Sequence, residues 1–265
     1  MIPELSGYMK NVRSKCPLVH HITNYVTVND CANICICSGG SPVMTDAAED
    51  IRDMVKISNA VVLNMGTLNP RTVESMVLAG KVAKENGIPV LFDAVGAGAT
   101  GYRSDTAARI INEVHPDVIK GNAGEISYLA GVEGCVRGVD SSGATGDMSD
   151  TVRELSKKYG CLVVSTGKED HVSDGESTYV LSNGHDLQGC VSGTGCMLSS
   201  VLGSYIGANG PKAEAVLAGI TAFNIAAENA SKVCKGPGSF KVALLDSLFG
   251  LGPEQLDKDA RIRKV

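Results

Sequence analysis

Ala60-Val61-Val62-Leu63-Asn64 and, after one helical stretch, Pro89-Val90-Leu91-Phe92-Asp93 decide the fold of this chain. Each is a short apolar run that stops at a polar side chain, the pattern of a strand buried on both faces. Between them Pro70 opens a segment carrying Val73, Met76, Val77 and Ala83 at helical spacing, and Gly87 closes it. A strand, a helix and a second strand joined by short connections make a parallel unit. The pattern recurs. Residues 106–114 read as a helix, 117–120 as a strand and 161–166 as another. The expected fold class is α/β, with a mostly parallel central sheet and helices on both faces. Residues 170–185 break the pattern with short alternating segments and turn signals at Asp174-Gly175 and Ser182-Asn183-Gly184, so antiparallel strands are expected at one edge. Residues 211–249 read as helical, and residues 131–146, rich in Gly, Ser and Asp, as a surface loop. No repeat or linker divides the chain, and one domain over residues 1–265 is expected.

The 265 residues suffice for a large core, and the abundance of alanine, valine, glycine and leucine suits helices packed closely on a parallel sheet. A net charge of −5 without a dense Lys/Arg run argues against binding nucleic acid. The N-terminal segment places Leu5, Tyr8, Met9 and Val12 on one helical face, which fits neither a signal peptide nor a membrane span. No other apolar run is long enough to cross a bilayer, and a cytoplasmic location is expected. The nine cysteines show no paired C-x-x-C spacing, so neither zinc nor a disulfide framework is expected. They read as small core residues in a reducing compartment, with Cys196 set apart by its position.

That position is Val191-Ser192-Gly193-Thr194-Gly195-Cys196-Met197-Leu198, a glycine turn leading into a helix whose stripe continues as Val201, Leu202 and Tyr205. Free N–H groups and the helix dipole make such a turn a phosphate cradle, and the same field is expected to lower the Cys196 pKa. Ligands of parallel α/β sheets bind beyond the carboxyl ends of the strands. Asp93, Lys120 and Thr166 close three of them, and Gly121-Asn122-Ala123-Gly124-Glu125 follows Lys120. This inventory matches phosphoryl transfer. Asp93 and Glu125 can hold Mg²⁺ directly or through water, Lys120 can neutralise phosphate charge, and Thr166 can donate a hydroxyl. Backbone N–H groups of residues 193–196 can stabilise the transferring group, with Cys196 placed as a base. No P-loop and no dinucleotide-binding glycine motif is present. Asn122 and Glu125 also have the spacing of a capping box, a structural role compatible with the catalytic one. A cysteine nucleophile in acyl or thiol transfer is the competing chemistry, and it needs a partnered histidine.

The chain resembles the hydroxyethylthiazole kinase family of the ribokinase-like superfamily. The resemblance rests on Val19-His20-His21-Ile22-Thr23-Asn24-Tyr25-Val26, Ser41-Pro42-Val43-Met44 and Leu63-Asn64-Met65-Gly66-Thr67. It continues through Asp93 with Val95-Gly96-Ala97-Gly98-Ala99-Thr100, residues 120–126, and residues 193–198. It implies a three-layer fold without a separate lid, a homotrimer with sites between subunits, and Mg²⁺-ATP phosphorylation of the alcohol of 4-methyl-5-(2-hydroxyethyl)thiazole in thiamine salvage. Carried over by position, Met44 and Gly193 contact the thiazole, and Asn24 and Val26 line its pocket. Lys120, Thr166 and Asn122 serve ATP, Asp93 and Glu125 the metal, and Cys196 the acceptor hydroxyl. Lys120 stands where arginine is common, so a bidentate phosphate grip becomes a point charge. Ala94 replaces a usual proline, and the thiol at 196 replaces the aspartate of the wider superfamily. A kinase for another alcohol of the same superfamily is the nearest alternative.

Overall fold

The computed structural model describes residues 4–132 and 147–265. The loop expected at 131–146 lies outside them beyond Val132. In chain order the elements are α1 (Ser6–Lys15), β1 (Leu18–Ile22), α2 (Val28–Ser38), β2 (Ser41–Met44), α3 (Ala48–Ile57), β3 (Ala60–Asn64), α4 (Pro70–Glu85) and β4 (Val90–Asp93). They continue with α5 (Gly101–Val114), β5 (Val118–Asn122), α6 (Ala123–Ala130), α7 (Met148–Tyr159), β6 (Leu162–Thr166), β7 (Asp170–Ser173) and β8 (Thr178–Leu181). A 3₁₀ turn at Asp186–Cys190 precedes α8 (Thr194–Asn209), α9 (Ala213–Val233), α10 (Pro237–Gly250), α11 (Pro253–Asp259) and β9 (Ile262–Lys264).

The strands form one sheet in the order β2-β1-β3-β4-β5-β6-β7-β8-β9. From β2 to β6 all pairings are parallel; from β6 onward they are antiparallel. Alternation along the central strands sends side chains to opposite faces. Val62, Leu91, Val118 and Val164 join a core with α1, α2, α8 and α9, which supply Val12, Ile34, Leu202 and Phe223. Val61, Leu63, Phe92, Ile119 and Val163 join a second core with α3, α4, α5 and α7, which supply Ile51, Val82, Ile111 and Leu155. Burial on both faces explains why β3 and β4 read as unbroken apolar runs. This is the three-layer α/β class expected from sequence.

Local chemistry fixes the ends. Asn69 and Thr72 cap α4 reciprocally ahead of Pro70, and the Thr100 hydroxyl accepts the Arg103 N–H to start α5. α5 therefore begins five residues before the periodic segment suggested. The α8 stripe is buried as expected, at Leu198, Val201, Leu202 and Tyr205, but so are the residues between them, because α8 lies between the sheet and α2, α1 and α9. The antiparallel strands expected at one edge are β7 and β8, and β9 from the charged tail extends them by pairing with β8 and closing the sheet. Arg261 and Arg263 flank the buried apolar side chain of Ile262, so the tail has the charge of a guarded edge strand and little hydrophobic signal. The cysteines are also more varied than core residues. Cys31 and Cys35 are buried, whereas Cys16 and Cys190 are exposed.

Candidate active site

Five parallel strands deliver the site. β1, β3, β4 and β6 end in or just before Asn24, Asn64, Asp93 and Thr166, whereas Lys120, expected to close its strand, lies two residues inside the end of β5; the register places Asn64 beside Asp93 and Asp93 beside Lys120. Asp93 is the hub. Its Oδ2 accepts from Asn64 Nδ2 at 2.8 Å and from Ser199 Oγ at 2.7 Å. Lys120 Nζ donates to Oδ1 at 3.2 Å and to the Gly195 carbonyl at 2.9 Å, tying the strand end to the first turn of α8. Both charged side chains are almost completely buried. Burial disfavours the ammonium, yet Asp93, Cys196 and Glu125 together hold the Lys120 pKa above its ordinary value. Lys120 thus neutralises the site from within, and the structure does not present it as an open surface grip.

The amides define a direction. The Thr27 backbone N–H donates to Asn24 Oδ1, as does the Thr27 hydroxyl, so the Asn24 amino group must face the other way. It donates to Asn64 Oδ1 at 2.9 Å and to Cys196 Sγ at 3.3 Å. Asn64 is oriented in turn by the Gly66 N–H on its Oδ1 and by Asp93 on its amino group. Cys196 therefore sits within reach of the Asn24–Asn64–Asp93 chain and is an acceptor there.

The helix-field expectation for Cys196 is corrected. Burial and the Asp93 charge raise its pKa, and Lys120 with the two asparagines only partly offsets them. The histidines do not partner the thiol. His20 bonds to the Thr45 carbonyl, His21 to that of Val19, His171 to Ser149 and His185 to the Leu187 N–H. Among the described residues, Cys196 therefore lacks the imidazole that a cysteine nucleophile needs.

Gly193 precedes α8 with φ of 87°, and no side chain caps the helix. A Cβ there would lie 2.1 Å from Thr27 Cγ2, so Gly193 is also the point of contact with the loop that orients Asn24. The N-terminus of α6 is different. Asn122 and Glu125 form the reciprocal cap anticipated from sequence, and Glu125 Oε1 additionally accepts the Gly96 N–H at 2.7 Å. Burial raises the Glu125 pKa, Asp93 adds to this, and the two backbone donors oppose it. Thr166 pairs in register with Asn122, its hydroxyl 3.3 Å from the Gly121 carbonyl.

Met44 lies apart, at the end of the edge strand β2. It lines a cavity of about 310 Å³ with Thr45, Asp46, Thr67, Asn69 and Met76. Gly193 and Cys196 do not line that cavity, and the Val26 side chain is 60% exposed. The Asn24 amide is engaged with Thr27, Asn64 and Cys196. Sequence reading gave no role to Asn64 or Ser199. Their signals were an asparagine closing β3 and a hydroxyl three residues after Cys196 on α8. Arg103 was also missed; its guanidinium binds the carbonyls of Met65, Gly66 and Val95 and holds two strand-end turns together.

The hydroxyethylthiazole kinase family model matches residues 9–254. A hydroxyethylthiazole kinase from Methanocorpusculum labreanum is 52% identical, over 95% of each chain. The solved structure of a hydroxyethylthiazole kinase protein from Pyrococcus horikoshii superposes with a TM-score of 0.91 at 38% identity, covering 98% of each chain. A ribokinase-like superfamily protein from Enterococcus faecalis shares the fold with a TM-score of 0.67 at 12% identity, covering 91% of this chain and 88% of its own. This chain belongs to the hydroxyethylthiazole kinase family.

Proposed function

We propose that the chain transfers the γ-phosphoryl group of Mg²⁺-ATP to the primary alcohol of 4-methyl-5-(2-hydroxyethyl)thiazole, as a single-domain cytoplasmic enzyme of thiamine salvage. One observation carries the reading: Asp93, Lys120 and Cys196 converge on the uncapped N-terminus of α8. The substrate hydroxyl oxygen attacks the γ-phosphorus, its bond to the β-phosphate oxygen breaks, and the hydroxyl proton passes to the Cys196 thiolate. ADP and the thiazole phosphate leave, and the proton returns to solvent from the thiol. The N–H groups of residues 194–196 meet the charge that spreads over the transferring oxygens. Asn24 steadies Sγ by donating to it.

Thr166, Asn122 and Lys120 serve the nucleotide, and Met44 and Gly193 the thiazole. Among the described residues, no three His, Cys, Asp or Glu side chains gather as a metal cage. Each oxygen of Glu125 already accepts one backbone N–H, leaving a lone pair on each. That donor set fits a magnesium ion arriving on the phosphates and keeping several of its waters, with Glu125 and Asp93 holding it through them. When bound, Mg²⁺ supplies neutralisation of phosphate charge.

We further propose a homotrimer with sites between subunits. Tyr25, Val26 and Ile36 are exposed apolar side chains near the Asn24 loop and on α2, where a neighbouring copy would cover them. Mixed Met44→Ala and Cys196→Ala subunits should then regain activity, and a monomer in sedimentation would refute the trimer. No helix among the described residues is long and apolar enough to cross a membrane. The substrate assignment is tested by kcat/KM on the thiazole alcohol against hydroxymethylpyrimidine. Preference for the thiazole is expected; faster phosphorylation of the pyrimidine would overturn it.

A further inference from the structure

We infer that Asp170 is a positioning residue that holds the Thr166-Gly167 turn at a fixed distance from the first turn of α8, and so sets the affinity for the nucleotide. The inference rests on Thr166 being a nucleotide contact, as proposed above. It follows from a run of hydrogen bonds whose directions are fixed from both ends. The His185 backbone N–H donates to Gln188 Oε1 at 2.9 Å, so the Gln188 amino group faces inward. It donates to Asn224 Oδ1 at 3.2 Å, which orients Asn224 so that its amino group donates to Asp170 Oδ2 at 2.7 Å. From the opposite side the Gly167 N–H donates to Asp170 Oδ1 at 3.1 Å. Donors thus converge on Asp170 from both sides, and among side chains only an ionised carboxylate accepts on both oxygens without presenting a proton to either.

Asp170 and Asn224 are both buried, so an unmatched donor there would not be rescued by water. Burial pushes the Asp170 carboxyl up to about 6, with Gly167, Asn224 and the Lys120 charge opposing it, which leaves it ionised at neutral pH. The far end of the run is attached to α8: the Thr194 hydroxyl donates to the Gln188 carbonyl at 2.8 Å. Gly167 follows the proposed nucleotide contact directly, and Thr194 opens the helix that meets the transferring group. Neither turn can shift without breaking a bond in this run.

The experiment is steady-state kinetics on the full-length chain, with both KM values and kcat measured and thermal unfolding run in parallel. Asp170→Asn leaves one N–H donor facing another, and KM for ATP should rise about tenfold, the equivalent of one charge-assisted hydrogen bond. KM for the thiazole alcohol should stay within about twofold of wild type, since uniform loss of activity is not what a nucleotide-side shift produces. The exchange Asp170→Asn with Asn224→Asp rebuilds every hydrogen bond, because the new amide at 170 donates to the new carboxylate at 224, which still accepts from Gln188. It should return KM for ATP toward wild type. If Asp170→Asn does not fold, Gln188→Glu tests the same run from a half-buried position and should raise KM for ATP alone. Unchanged KM for ATP in a folded Asp170→Asn or Gln188→Glu, an equal rise in both KM values, or an exchange no better than the single variant would each overturn the inference. Thr166→Val separates the two claims. If it is silent while Asp170→Asn raises KM for ATP, the Thr166 contact fails and the clamp on Gly167 stands. If Thr166→Val raises KM for ATP and Asp170→Asn does not, the clamp fails.

Discussion

Two helices begin at the same end of this sheet, and they begin differently. At α6 the Asn122 side chain accepts the Glu125 N–H, and Glu125 returns a bond to the Asn122 N–H while also accepting from Gly96. At α8 a glycine stands at the cap, no side chain caps the N–H groups of the first turn, and Lys120 donates to the Gly195 carbonyl. The first helix end is closed by its own sequence. The second leaves N–H groups to be met by something else, beside a thiol held by an asparagine and near an ion pair held by two strands. Closure holds a carboxylate in a fixed place, and openness leaves N–H groups without a side-chain partner.

The largest effect should come from closing the open end. Gly193→Ala forces a Cβ into Thr27 at a backbone angle that L residues rarely adopt, displacing both the cap and the Asn24 loop. We expect kcat/KM to fall on the order of 10³-fold, the scale of losing a preorganised donor in phosphoryl or acyl transfer. Near-normal kinetics would show that the α8 terminus is not part of the reaction. Next is Cys196→Ala, which should lower kcat by roughly 10²-fold yet leave measurable turnover, because positioning and charge stabilisation remain. The wild-type pH profile sharpens this. Burial and Asp93 raise the thiol pKa, so the reactive thiolate is the minor form at neutral pH. Accordingly, kcat should still be climbing above pH ~8.5, the ordinary thiol value, and the Cys196→Ala profile should lack that rise.

Changes at the closed end should be felt first in stability. Glu125→Gln places an amide N–H against Gly96 or Asn122 N–H and should cost about 2 kcal/mol in urea unfolding, for an unsatisfied buried donor. It should also raise the Mg²⁺ concentration needed for half-maximal rate, and an unchanged Mg²⁺ response would argue that Glu125 only caps α6. The smallest expected effect is Asn122→Ala, at about 1 kcal/mol, the usual value of an N-cap. A kinetic loss larger than its stability loss would make Asn122 a nucleotide contact in its own right.

The closed end was legible in the sequence. Asn122-x-x-Glu125 announces its own cap, and β3 to β6 announce themselves as apolar runs, because both features are local. The open end was legible only as a turn. What Cys196 is bonded to depends on Asn24, more than a hundred and seventy residues away in the chain, and on Asn64 between them. No local pattern reports such a contact. The sign of the Cys196 shift failed for the same reason: the helix field is visible in sequence, whereas burial and the approach of Asp93 are tertiary. β9 was hidden by its charges.

The central claim is that Cys196 accepts the hydroxyl proton and is never itself modified, and kcat of Cys196→Asp tests it most directly. A carboxylate on the same turn can take the same proton and is ionised without help from the site. We expect a folded Cys196→Asp enzyme with kcat at pH 7 of at least about a tenth of wild type, the rise above pH ~8.5 having disappeared. A folded Cys196→Asp enzyme with no turnover would contradict it.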